Sequence, residues 1–108
     1  MNNILILALA LAFAPAALAA GNAEQGKAKA AQVCAACHGP DGAKPVAPEN
    51  PVLAGQYPDY LVKSLKDYKA GKRTNPIMQG FAAQLSTKDM EDLAAWFSSQ
   101  RSPLHDQR

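Results

Sequence analysis

Two cysteines and a histidine lie close together in the run Cys34-Ala35-Ala36-Cys37-His38. On a helix, thiols at i and i+3 and an imidazole at i+4 share one face. A C-x-x-C-H run is the attachment signature of a c-type haem, in which the two thiols form thioethers with the ring and the imidazole ligates the iron. The spacing therefore predicts one covalently bound haem c on Cys34 and Cys37, with His38 as an axial iron ligand.

The same residues allow three alternative interpretations. A thioredoxin-like redox pair is expected beside a βαβ pattern, whereas a helical stretch rich in Ala and Lys precedes Cys34. A structural zinc site usually takes four Cys or His ligands, and the chain offers only Cys34, Cys37, His38 and His105. A Cys34–Cys37 disulfide would close a very small loop and leave His38 without a role. Haem attachment is therefore favoured.

The start of the chain has the pattern of a secretory signal peptide. Residues 4–13 form an unbroken apolar run, followed by Pro15 and a small-residue tract at 16–20. This pattern matches an apolar h-region with an A-x-A-like cleavage site, and it is too short for a membrane-spanning helix. We predict a cleaved signal peptide over 1–19 and export to the periplasm; a retained N-terminal membrane anchor is the alternative. Export agrees with haem attachment, because thioether formation takes place outside the cytoplasm.

The remaining stretch, 20–108, has the length of a single domain, and we expect its polar tail at 100–108 to fray. A core of this size is marginal and usually needs a staple. Since both cysteines are committed to the ring, the haem is the expected staple, and the chain without haem is predicted to be largely unfolded. The formal net charge of +2 is too small to indicate binding to nucleic acid.

Three stretches, 22–33, 58–70 and 86–99, are predicted to be helices. They begin with an Asn cap, a proline at the first helical position and a Ser followed three residues later by Asp. Small residues recur on one face of the first helix, and Gly26 among them predicts a close helix–helix crossing. The stretches 39–56 and 74–85 contain prolines and are predicted to be irregular. No alternating strand pattern occurs, so the predicted fold class is all-α.

The second iron ligand decides what the haem can do, because a filled position restricts the iron to electron transfer and an open one admits small molecules. Met78 lies between Pro76 and Gly80, in a stretch predicted to be extended, from which its thioether could reach across the ring face. Met90 falls on the apolar stripe of the last helix and is expected in the core. His105 lies in the polar tail, where an exposed histidine is expected. Met78 is therefore the predicted second ligand.

The chain resembles the class I cytochromes c. The resemblance rests on the haem motif near the start of the predicted mature chain, on Met78 about forty residues later, and on the final-helix run Leu93-Ala94-Ala95-Trp96-Phe97. It is closest to the small bacterial monohaem proteins of that class and to the repeated domain of their dihaem relatives. It covers essentially the whole of 20–108. The implied fold has three main helices and irregular loops wrapped around one covalently attached haem.

The resemblance also implies roles for individual residues. Cys34 and Cys37 would hold the haem, and His38 and Met78 would be the axial ligands. Pro51 matches the proline whose carbonyl accepts a hydrogen bond from the proximal imidazole, which orients that ring and raises its basicity. The first and last helices would cross at Gly26, Ala30, Leu93 and Trp96.

These features predict a periplasmic electron-transfer protein, not an enzyme, that cycles a His/Met-ligated haem between Fe(II) and Fe(III). One alternative is a haem subunit of a larger dehydrogenase or oxidase. Another is an enzyme or gas sensor with an open iron position, which requires that Met78 does not ligate. Redox partner proteins are expected, and a basic side of the second helix offers docking residues or, alternatively, a solvated face: Lys63, Lys66, Lys69 and Lys72.

Overall fold

A computed structural model of the chain describes residues 21–102 and 104. The predicted signal peptide at 1–19, His105 and the end of the polar tail lie outside the described residues. None of the helices among the described residues is long and apolar enough to cross a membrane.

Five α-helices joined by irregular segments make up the described part of the chain, which contains no strand. In chain order they are α1 (Ala23–Val33), α2 (Ala35–His38), α3 (Pro58–Lys69), α4 (Pro76–Ala82) and α5 (Thr87–Ser98). The all-α prediction is confirmed, and the three predicted main helices correspond to α1, α3 and α5. The short helices α2 and α4 are additional. The prediction that 74–85 is irregular is wrong, because α4 occupies its middle.

The long helices begin at signals that are visible in the sequence. The side chain of Asn22 caps α1 by accepting a hydrogen bond from Gln25 N at 3.0 Å. Pro58 occupies the first turn of α3, where its missing N–H costs nothing. At α5, Ser86 Oγ accepts from Asp89 N at 3.0 Å, and Asp89 Oδ2 accepts from Ser86 N at 2.9 Å. This reciprocal capping box satisfies two backbone donors that the helix leaves unpaired.

The hydrophobic core lies where α1, α3 and α5 meet. Met90 is only 2% exposed, so its predicted place in the core is confirmed. The buried apolar residues of this cluster are Ala30, Leu61, Leu85, Met90, Leu93, Ala94 and Phe97.

Helices α1 and α5 cross at very short range. A Cβ built on Gly26 would lie 1.9 Å from the backbone oxygen of Asp92 and 3.0 Å from Trp96 Cβ, so only glycine fits at this point. Ala30, one turn further along α1, is completely buried. The close crossing predicted from Gly26 is therefore confirmed. It fixes the direction of α1, which leads directly into the haem motif.

Candidate haem-binding site

The two cysteines lie at the junction between α1 and α2. Cys34 ends α1, with its N–H donating to Ala30 O at 2.9 Å, and its own carbonyl accepts from His38 N at 3.0 Å. Both thiols are free: Cys34 is partly buried and Cys37 is exposed. The structure therefore does not contain the alternative Cys34–Cys37 disulfide, and both sulfur atoms are available for thioether bonds.

The environment of Cys34 also argues against a redox dithiol. Burial, together with the neighbouring Cys37, raises the pKa of the Cys34 thiol to about 11. Reactive dithiol enzymes require the opposite, because the thiolate is the nucleophile and its pKa is lowered at such sites. Cys34 therefore lacks the lowered pKa that a nucleophilic redox thiol requires.

His38 is held in one orientation by the loop that follows it. Its side chain is 7% exposed, and Nδ1 lies 3.0 Å from the backbone oxygen of Pro51. A carbonyl oxygen only accepts, so Nδ1 carries a proton, and in the neutral imidazole Nε2 then keeps a lone pair. Within the described part of the chain, no hydrogen bond reaches Nε2. An imidazole with Nδ1–H bound to a carbonyl and Nε2 open is the arrangement used by metal-ligating histidines.

The irregular segment 39–57 brings Pro51 to His38 by folding back over the haem motif. Val46 N donates to Cys37 O at 3.1 Å, and Asn50 Nδ2 donates to the same oxygen at 3.0 Å. Further along, Leu53 N donates to Gly42 O at 2.9 Å, which closes the loop on itself. The predicted irregular conformation of 39–56 is confirmed. Its backbone groups are satisfied by the motif instead of by a helix or strand ladder.

Met78 lies in helix α4. The prediction that it lies in an extended segment is therefore wrong. Asn75 caps this helix: its Oδ1 accepts hydrogen bonds from Ile77 N at 3.1 Å and from Met78 N at 3.0 Å. Pro76 takes the first helical position, where proline is favoured. Asn75 and Pro76 together therefore form a helix start, with an Asn cap followed by a proline at the first helical position. This pair is visible in the sequence and could have predicted α4. The Met78 side chain is half-buried.

The donor set and its surroundings fit a covalent haem. Two free thiols, an oriented imidazole and a thioether are the groups that His/Met ligation of haem c requires. Large exposed apolar side chains gather in the segments that carry Pro51 and Met78 and at the start of α3, and an apolar ring could cover them. They are Val46 at 70%, Tyr57 at 50%, Tyr60 at 49%, Ile77 at 67% and Phe81 at 41% exposed.

The described residues do not offer a set of side chains that could bind a metal ion directly. Among the described residues, no group of three or more His, Cys, Asp or Glu side chains could hold one. The zinc alternative is therefore not supported in this part of the chain, since structural zinc usually takes four such ligands.

Comparisons with known proteins identify the class of protein. The family model for cytochrome c matches residues 23–101. Cytochrome c4 of Pseudomonas aeruginosa is 51% identical over 102 residues, which cover 94% of this chain and 50% of that protein. Cytochrome c-554(548) of Halomonas halodenitrificans is 43% identical over 84 residues, covering 75% of this chain and 99% of that one.

A solved structure agrees with the sequence matches. The crystal structure of reduced cytochrome c4 from Pseudomonas stutzeri superposes with a TM-score of 0.70 at 47% identity, covering 77% of this chain and 47% of that chain. The chain belongs to the cytochrome c family, with the class I fold and a covalently bound haem c as its cofactor. It spans about half the length of the cytochromes c4 that it matches.

Proposed function

We propose that this chain is an electron-transfer protein in which Cys34 and Cys37 hold the haem and His38 and Met78 are its axial ligands. When bound, the haem supplies the one-electron Fe(III)/Fe(II) couple. The observation that carries the proposal is the His38–Pro51 hydrogen bond, since it leaves Nε2 open beside two free thiols. It supports a ligand role for His38 independently of the motif.

The remaining residues shape this role in two ways. A thioether ligand such as Met78 stabilises reduced iron and raises the potential. With both axial positions filled there would be no place for a substrate at the iron, which favours a carrier over an enzyme or gas sensor.

The match to cytochrome c-554(548) of Halomonas halodenitrificans covers 99% of that protein. This supports the proposal of a carrier built from one such domain, here 20–108.

We further propose a periplasmic location, reached through the signal peptide at 1–19, and redox proteins as partners. Of the basic residues on α3 and just beyond it, Lys63 pairs with Asp67 at 2.5 Å, and Lys69 donates to Leu85 O at 2.6 Å. The side chains of Lys66 and Lys72 form no hydrogen bond or ion pair within 21–102. They are therefore the better docking residues for an acidic partner surface, with binding that weakens as salt rises.

The visible spectrum of the purified oxidised and reduced protein, beside Met78→Ala, tests the axial ligation. We expect the oxidised wild type to show the weak near-red band of a methionine–iron bond and the variant to lose it. A wild type that is high-spin or binds carbon monoxide rapidly would instead indicate an open iron position. Co-purification with a catalytic subunit would favour the haem subunit of a larger dehydrogenase or oxidase over a free carrier.

A further inference from the structure

Helix α4 is too short to be stable by itself, because isolated helices of this length do not persist in water. Its conformation therefore depends on its packing against α3, where Ala82 is fully buried, and on the groups that hold its two ends. Asn75 Oδ1 accepts from the backbone N–H of Met78 itself at 3.0 Å, so the cap acts directly on the residue that carries the thioether. Without this acceptor, the Ile77 and Met78 amides would have no partner in the first turn.

The segment before α4 is fastened to α3. The Arg73 guanidinium lies 4.7 Å from the centre of the Tyr68 ring, and its Nη1 donates to Ser64 Oγ at 3.1 Å. The backbone N–H groups of Lys72 and Arg73 both donate to Asp67 O, at 2.9 and 3.1 Å. This side chain and these two amides together fix the turn that leads to Asn75.

The segment after α4 is fastened to the same helix by a different group. Lys69 Nζ donates to the backbone oxygen of Leu85 at 2.6 Å, and Leu85 is only 4% exposed. An ammonium group bound to a carbonyl at the edge of the core makes a charge-assisted hydrogen bond, which is stronger than a neutral one. The helix that carries Met78 is thus held to α3 on both sides.

We propose that Asn75, Arg73 and Lys69 are positioning residues that keep the Met78 thioether at the iron. The inference rests on the proposed ligation by Met78 and goes beyond it by naming what controls the lifetime of that bond. An external ligand can bind the iron only while Met78 is away, so its apparent affinity rises with the fraction of molecules in which the segment is displaced. Loosening an anchor should therefore tighten the binding of an added ligand.

The experiment uses ferric haem-loaded protein titrated with imidazole, which competes with Met78 for the iron. We expect Asn75→Ala to bind imidazole about five- to tenfold more tightly than wild type, the size of effect that loss of an N-cap has on a helix. Amide hydrogen exchange at Ile77 and Met78 should accelerate in the same variant. Arg73→Ala and Lys69→Met should each tighten imidazole binding about two- to fivefold.

Matched variants separate positioning from general destabilisation. Ser86→Ala removes the equivalent cap from α5, which carries no ligand, and should leave imidazole affinity within about twofold of wild type. Asn75→Ser keeps a cap acceptor and should restore near-wild-type affinity. Lys27→Met removes a cation from α1, where its ammonium lies 5.5 Å from the centre of the Trp96 ring and outside the segment 70–85, so binding of imidazole at the iron should not change.

Two results would overturn the inference in distinguishable ways. If the wild type shows the near-red band but Asn75→Ala, Arg73→Ala and Lys69→Met all bind imidazole like wild type, Met78 is the ligand and these residues do not position it. If the wild type lacks the band, the proposed ligation itself fails, and the inference falls with it. Should Asn75→Ala not fold, Lys69→Met and Arg73→Ala decide between these outcomes.

Discussion

Two regions of this cytochrome are held together by different means. At the helix crossing, where α1 meets α5, Gly26 and Ala30 are buried, and Gly26 lets the backbone of α1 approach the backbone of α5 closely. Two segments, 39–57 with Pro51 and 70–85 with the proposed ligand Met78, are called the ligand segments, and they contain instead Val46 at 70% and Ile77 at 67% exposure. The crossing is made of complementary helix surfaces, whereas the ligand segments combine a few buried apolar residues, such as Ala82 and Leu85, with separate hydrogen bonds to their surroundings.

The difference indicates which region depends on the cofactor. The crossing buries its apolar surface against the chain itself, and even its buried carboxylate, Asp92, has partners for both oxygens. The ligand segments present apolar surface that a bound ring would cover. Haem is therefore expected to form the hydrophobic core of the ligand segments. At the crossing of α1 and α5 it is expected only to add to a core that the chain already provides.

The largest expected effect comes from removing the haem attachment. In Cys34→Ser/Cys37→Ser we expect loss of cooperative unfolding and of most helical signal, because a core this small lacks the apolar burial to be stable alone. Circular dichroism with thermal melting measures this. Met78→Ala is the control, since it keeps both thioether sites and His38 and should retain a cooperative melt.

A native-like melt of the double variant would contradict the expected dependence on haem. A partial helical signal in the circular dichroism of the double variant would indicate that one of the two regions keeps its helices without haem. If adding Gly26→Ala then abolished that residual signal, the helix crossing would be shown to form without the ring.

The second largest effect is expected at the crossing itself. Gly26→Ala places a Cβ where the structure has the backbone oxygen of Asp92 at 1.9 Å, and backbone cannot move aside without separating the helices. We expect a loss of about 2–4 kcal/mol in the free energy of unfolding, despite the better helix propensity of alanine. Guanidinium unfolding of the haem-loaded protein measures it.

Gly80→Ala is the matched control in the ligand segments. Among the described residues, a Cβ at Gly80 meets no atom within 4 Å outside the adjoining turns of its own helix, so only the propensity gain remains, and we expect stabilisation of up to about 1 kcal/mol. The same substitution should therefore have opposite signs in the two regions. Equal destabilisation at both glycines would contradict the contrast between them.

The same division explains how much could be predicted from the sequence. The long helices follow from caps and apolar periodicity, and Gly26 announces a crossing because a mid-helix glycine needs a compensating contact. Pro58, at the start of α3, is predicted to begin a helix, whereas Pro76, in the ligand segment 70–85, is predicted to lie in an irregular stretch. The difference is periodicity: twelve residues of α3 show an apolar stripe, whereas the seven residues of α4 are too few.

The basic side of α3 shows a second limit of sequence reasoning. Lys66 and Lys69 both lie in the last turn of α3, but only Lys69 donates a hydrogen bond to Leu85 O. That contact joins residues sixteen positions apart and depends on the path of the whole segment 70–85. The His38–Pro51 pairing could be inferred because the family resemblance supplied the partner; no local pattern supplies one for Lys69.

The smallest predicted effect lies at the edge of the helix crossing and depends on pH. Asp92 Oδ2 accepts from Lys88 Nζ at 2.6 Å, and Oδ1 accepts from Asn22 N at 2.7 Å, which ties the start of α1 to α5. The hydrogen bond from Lys88, and then that from Asn22, hold the pKa of this carboxyl below its usual range, against the opposing effects of burial and of Asp89. Asp92→Asn should cost about 1–2 kcal/mol of stability near pH 7.

The sign of the pH dependence follows from the lowered pKa. A carboxyl with a depressed folded-state pKa contributes stability above its unfolded pKa of about 4, and that contribution is lost as pH falls through the folded value. The difference in the free energy of unfolding between wild type and Asp92→Asn should therefore become smaller below about pH 4. Guanidinium unfolding from pH 7 to pH 2 measures this difference, and Lys88→Met should produce a smaller one, since Lys88 is 65% exposed. A difference that stays constant across this range would show that Asp92 holds the crossing by packing, and that its charge contributes nothing to the tie between α1 and α5.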